Sequence, residues 1–211
     1  MNLERLNRPL PPEELRRVAR RSSLEVFEPC ELLANWIGAN FIEPTGPLFR
    51  AEHKHLKRAR IGCLWTNTPL KIKQQAVAAT AEMPSAQGNT WARARFKQQL
   101  REWFGFEPDF LLTFYAPSCH ERDDAAFCAL VRHELLHCAQ KRTSEGELAF
   151  DRDGKPVFVM RGHDVEEFVA VAEDFGVDCC AGLSAAFVRA AMNPPKIARA
   201  KIALACGHCL K

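Results

Sequence analysis

Within five residues, His133-Glu134-Leu135-Leu136-His137, the chain holds two imidazoles and a carboxylate. Two His four positions apart lie on one face of a helix, one turn from each other, so both rings can reach one metal ion. Glu134 follows the first His directly, which sets its carboxylate beside such an ion and not on it. From there it can take a proton from a water activated by the metal. This HExxH spacing is the zinc-hydrolase pattern. The competing reading is a core helix that happens to carry two His. At ordinary residue usage a chance HExxH arises in roughly one chain in a hundred or fewer.

A catalytic zinc usually takes three protein ligands and a water. A third His six residues after the second is absent, because position 143 is Thr143. The stretch Gly162-His163-Asp164-Val165-Glu166-Glu167-Phe168 supplies the candidates. His163 stands at a helix start, 26 residues beyond His137. Glu166 and Glu167, one turn into that helix, compete with it, since some zinc hydrolases use a helical Glu. Asp164 can cap the helix or orient an imidazole.

The flanks fit a helix that carries the motif into a core. Asp123 or Asp124 can act as N-cap, and the run from Asp123 to Gln140 is apolar round most of its circumference. The other elements follow from periodicity and punctuation. Pro11-Pro12 opens a short basic helix through about Arg21 after an irregular arm. Cys30 to Ile42 reads as a helix with Leu32, Leu33, Trp36, Ile37 and Phe41 at helical spacing. Arg60–Trp65 reads as a strand. Leu70–Met83 is ambiguous: its Lys and Gln half favours helix, while Val77–Met83 could be a strand paired with Arg60–Trp65. Asn89-Thr90 caps a helix to Phe104 whose apolar side is Trp91, Phe96, Leu100 and Trp103. Phe110–Tyr115 is the strongest strand and, at a sheet edge, could hold an extended peptide. Leu148–Met160 reads as a hairpin turning at Asp153-Gly154. Asp164 caps a helix that stops at Gly176, and helices at Leu183–Met192 and Lys196–Ala205 follow. The fold class is α+β with a helical C-terminal extension, divided as residues 1–28 (arm and short helix), 29–178 (main domain) and 179–211 (helical tail).

With 211 residues, 47% hydrophobic and 26% charged, the chain is that of a soluble globular protein. The net charge of +3 does not argue for nucleic acid as a partner, and no run spans a bilayer. The start of the chain carries no secretion signal. Nine Cys are an odd number without a paired framework, which points to a reducing, cytoplasmic compartment with thiols as small buried hydrophobes. Cys206-Gly207-His208-Cys209 is half of a structural zinc site. Cys179-Cys180 could complete it, but a frayed tail is the simpler reading. Tyr115 and His120 could donate to an oxyanion, against the simpler readings of a core Tyr and a loop His.

The order of an LW strand, an FLLTFY strand, an HELLHC helix, a hairpin with DGKP and then GHDVEEF resembles the phage metallopeptidase family over roughly Pro29 to Gly176. It is also similar to the SprT-like peptidases, in which a later His opens a helix. The resemblance implies a zincin-like peptidase fold, with a small mixed or antiparallel sheet packed on the HExxH helix and Zn²⁺ as cofactor. It also implies a phage or prophage origin, action in the bacterial host cytoplasm, and a strand within Leu70–Met83. It supplies no substrate beyond a protein or peptide. A zinc-stabilised interaction protein without turnover is the alternative, and the intact Glu134 favours the enzyme.

Overall fold

The computed structural model describes residues 6–17, 24–72, 74–165, 183–198 and 200. After a 3-10 turn at Glu13–Leu15, strand β1 (Phe27–Pro29) leads into helix α1 (Glu31–Ile37). The helix continues as a π turn over Gly38–Ile42, as the periodicity from Cys30 to Ile42 implies. Leu33, Trp36, Ile37 and Phe41 are buried, whereas Leu32 faces out. A 3-10 segment, Ala51–Arg58, precedes β2 (Ile61–Thr66). Where the structure describes it, the ambiguous stretch holds strands, and its Lys and Gln half is not the helix those residues favour: β3 (Lys71–Ile72) pairs with β4 (Gln75–Ala76), and β5 (Ala79–Glu82) follows. Next come α2 (Thr90–Phe104), β6 (Phe110–Tyr115), a short α3 (Ala116–His120), α4 (Asp124–His137), β7 (Cys138–Gln140), β8 (Phe158–Met160) and α5 (Ser184–Ala191).

The main sheet runs β1-β2-β6-β5. β2 and β6 are parallel (Cys63 opposite Leu112, Trp65 opposite Phe114), and the outer strands are antiparallel to them. Two expectations are corrected here. β5 pairs with β6 and not with β2. β6 is therefore an interior strand, and the edge beside the motif helix is β5. The central place suits β6, because a strand covered on both faces is a near-continuous apolar run.

Cys63, Trp65, Leu112, Phe114, Ala79 and Ala81 alternate onto one face of the sheet and join the core that α4 completes with Phe127, Leu130, Val131 and Leu135. Phe127 is the hub of this layer. Its ring stacks on Trp65 (6.1 Å between centroids) and meets Phe114 (5.8 Å) and Trp36 of α1 (5.9 Å). The methyl side chains of β5 leave room for α4 to close on the sheet edge. On the opposite face Gly62 lies against Phe104 of α2, where a Cβ would sit 3.0 Å from the ring. α2 is capped by Asn89, which accepts from Ala92 N (3.0 Å), and ends at Gly105 with φ +76°. Only the C-terminal half of α2 is apolar toward the protein: Leu100 is buried, while Trp91 is 80% exposed, against its expected place on the apolar side.

Among the described residues Cys30, Cys63, Cys119, Cys128 and Cys138 are free thiols, the last four buried, and burial raises all four of those thiol pKa values. No helix of the described residues is long and apolar enough to cross a membrane.

Candidate metal centre

Helix α4 begins at Asp123, whose side chain accepts from Ala126 N (2.7 Å), the cap expected from the sequence. Arg8, from the N-terminal arm, fixes this end. It pairs with Asp124 (2.5 Å), donates to the Cys119 and Arg122 carbonyls, and covers the Phe127 ring at 5.0 Å. The far end stops earlier than the apolar pattern does. At Cys138 the backbone turns extended (φ −83°, ψ 96°), and Cys138–Gln140 becomes β7 instead of a last helical turn. Strand pairing captures this segment: β7 lies antiparallel to β8, with Cys138 opposite Met160 and Gln140 opposite Phe158.

That register positions the third His. Continued by one residue, it sets Arg161 opposite His137. Arg161 N donates to the His137 carbonyl (2.8 Å), and His137 Nδ1 donates to the Arg161 carbonyl (2.7 Å). His163 follows two residues later. The intervening chain turns twice: Arg142 bridges Leu148 across one turn, and Phe150 bridges Pro156 across the Asp151–Gly154 turn. The second turn is the expected Leu148–Met160 hairpin, with Val157 N donating to the Ala149 carbonyl (3.1 Å), and its last residues, Phe158–Met160, ladder onto β7.

The three imidazoles converge. His133 Nε2 lies 3.2 Å from His137 Nε2 and 3.2 Å from His163 Nε2, and one nitrogen from each ring falls within 4.8 Å of the others. A tetrahedral ion at the usual zinc–nitrogen length of about 2.0–2.1 Å separates its ligands by about 3.3–3.4 Å. The spacing of the rings therefore fits a single such ion. With its Nδ1 hydrogen committed to the Arg161 carbonyl, His137 presents Nε2 as a lone pair to the same point, the usual orientation of a metal-binding His. His137 is buried, His133 half-buried and His163 exposed, so the centre opens to solvent on the His163 side.

Glu134 is fully buried at the same turn of α4, and its carboxylate faces the Ala81 backbone of β5 without a hydrogen bond of good geometry. Burial pushes its pKa up to about 8, and the Ala81 backbone on β5 partly offsets this. Both facts put this carboxyl where α4 meets the sheet edge. A buried acid with perturbed affinity for its proton beside a ligand cluster has the character of a proton-transfer group.

Of the other sequence candidates, Asp164 forms an ion pair with Arg161. Tyr115 is half-buried at the end of β6, and His120 is exposed at the end of α3. Glu166, Glu167 and Phe168, the helix expected to Gly176, Cys179-Cys180 and the Cys206–Cys209 pair lie outside the described residues. One contributor was not found from the sequence: the Arg161 carbonyl carries no residue-type signal. β5 falls in the second half of Leu70–Met83, where a strand was expected, but with β2 and not β6 as its partner.

No curated protein and no solved structure matches the chain. A family model described as Putative phage metallopeptidase matches residues 34–191, a span that holds the four-stranded sheet's β2, β5 and β6, the motif helix and all three His. On that match, which covers well over half of its length, the chain belongs to the phage metallopeptidase family.

Proposed function

We propose that the chain is a zinc-dependent peptidase in which His133, His137 and His163 hold the ion and Glu134 is the general base. The single observation that carries this is the convergence of three ring nitrogens, with His133 Nε2 at 3.2 Å from those of His137 and His163, and a buried carboxyl on the same helical turn. Bound there, zinc would supply Lewis acidity toward a water and a scissile carbonyl. Glu134 takes a proton from the attacking water as its oxygen bonds to the carbonyl carbon, and gives that proton to the leaving nitrogen as the C–N bond breaks. The carboxyl is placed for both steps, because Glu134 stands on the helical turn that carries His133 and His137.

The architecture supports a zincin-like reading with an SprT-like order of ligands: a sheet edge strand lies beside the HExxH helix, and the third His follows a hairpin. β5 is the strand that would hold an extended substrate by backbone pairing, in place of β6. The working division remains residues 29–178 for the catalytic unit, with the tail at 179–211 outside it. Phage or prophage origin and action on proteins of the bacterial host cytoplasm complete the proposal, on family grounds.

Metal analysis of the purified chain tests it directly. About one zinc per chain is expected, and cleavage in host extract should stop with chelator and return with zinc. Absence of zinc from both native and reconstituted protein would remove the reading. Zinc without turnover, with or without Glu134, would leave a zinc-stabilised interaction protein.

A further inference from the structure

A groove of about 940 Å³ lies apart from the metal centre, between the 3-10 segment Ala51–Arg58, the C-terminal end of α4 and the β7–β8 region, and none of the three converging His or Glu134 lines it. That volume is at the upper end of ligand clefts, about 300–1,000 Å³, and gives room for a short peptide segment.

Its walls carry two chemistries. Lys54, Arg58, Lys141 and Arg142 line it, and among the described residues none of the four has a carboxylate partner. Arg58 and Arg142 instead donate to the backbone carbonyls of Gly154 and Gly146, which ties each to the loop it faces. Arg161, also at the groove, is already neutralised by Asp164. Among the described residues Glu52 is the single acid of the lining. Between these cations the lining is apolar: Leu136, Val159, Met160 and Pro156, with Leu148 and Phe150 exposed at the rim.

An occupant must therefore match cations spaced around a hydrophobic floor. A nucleic-acid strand fits this poorly. Strand binding uses successive aromatic platforms, and Phe150 is the only aromatic ring besides the imidazoles in the lining. The sequence pI of about 8.4 is also below the range typical of nucleic-acid-binding domains. A polypeptide with carboxylates set among apolar side chains satisfies both chemistries. The groove is also connected to the centre, since Met160 and Arg161 line it and lead directly into His163, and the Arg161 carbonyl accepts from His137.

We propose that this groove captures an acidic segment of the polypeptide substrate, one that carries apolar side chains between its carboxylates. The proposal rests on the peptidase reading for the word substrate, but the binding it describes needs no turnover. The groove holds the segment by charge complementarity and apolar burial while another part of the same chain lies at the metal centre.

The test uses the full chain carrying Glu134→Gln and a short fluorescent peptide alternating Glu with Leu, read by anisotropy. Companion probes replace Glu by Gln, replace Leu by Ser, or substitute a single-stranded oligonucleotide. The Glu/Leu peptide should bind and weaken with added salt, and the Gln/Leu and Glu/Ser peptides should each bind about tenfold more weakly. Lys54→Glu with Lys141→Glu should cost about tenfold as well. Both side chains are exposed and, among the described residues, without ion pairs, so the double variant should keep the wild-type melting temperature. Equal binding of the uncharged peptide, indifference to the charge reversal, or tighter binding of the oligonucleotide would overturn the proposal. Loss of zinc or of cleavage would refute the peptidase reading alone, because peptide binding to the groove is measured separately from both.

Discussion

Replacing His53 with Leu should make the protein more resistant to acid. His53 is 1% exposed on the 3-10 segment Ala51–Arg58, and its pKa is lowered to about 4. Burial is the main cause, helped by the nearby charges of Arg132, His55 and Arg50, while the Phe41 backbone opposes them. In the unfolded chain the ring takes a proton near pH 6.5, whereas in the folded chain it does so only near pH 4. Between those values the unfolded state binds more protons, so stability falls as pH falls. At about 1.4 kcal/mol per pH unit, the loss is about 2 kcal/mol by pH 5 and about 3 kcal/mol at pH 4. Leu has a similar volume and does not titrate. Denaturant unfolding of chelator-treated wild type and variant from pH 7.5 to 4 isolates the effect, since all other groups titrate in both proteins. The variant should gain about 2 kcal/mol on the wild type between pH 7.5 and 5. Parallel stability curves over that range would refute the buried, neutral His53.

Glu134→Gln should retain zinc and the fold, because the side chain keeps its size, but slow cleavage by about 10²- to 10⁴-fold. Unchanged cleavage would refute water activation by Glu134, and loss of zinc would make it a ligand. His163→Ala should weaken zinc binding as strongly as His133→Ala in a chelator competition, whereas Glu167→Ala should not; the reverse ranking moves the site to a helical Glu. Arg8→Ala removes a pairing with Asp124, two carbonyl contacts and the cover of Phe127. The expected cost is about 2 kcal/mol, a fall in melting temperature of about 4–8 °C, and an unchanged melt would show that the arm does not hold α4.

The local elements were legible wherever one residue pattern decided them. Asn89 and Asp123 cap the helices they were expected to cap, because capping is a contact within one turn. Phe110–Tyr115 is a strand because aromatic and apolar residues in sequence suit a strand covered on both faces. Pairing was less legible. Whether β5 joins β2 or β6 depends on which neighbour lets α4 reach the sheet edge, and Ala79 and Ala81 decide that by being small, which no periodicity records. Trp91 precedes Leu100 by nine residues, about two and a half helical turns, so it lies on the side opposite the buried Leu100 and is exposed, while α2 meets the sheet where Phe104 lies against Gly62.

The site divides in the same way. His133, Glu134 and His137 are fixed relative to one another by helix geometry alone, so their spacing was sufficient to place them. His163 needed a long-range fact: α4 ends at His137 only because the next three residues are taken into a ladder with Phe158–Met160. The same ladder delivers His163 and orients His137. Moving it by one residue would turn every side chain of β8 to the opposite face and take the Arg161 carbonyl away from His137 Nδ1. The termination of the motif helix, which the apolar run through Gln140 conceals, is therefore the event that brings the three His together. Interrupting the β7–β8 ladder should accordingly disturb zinc affinity before it disturbs the sheet that carries the fold, since β1-β2-β6-β5 makes none of its pairings with these two strands.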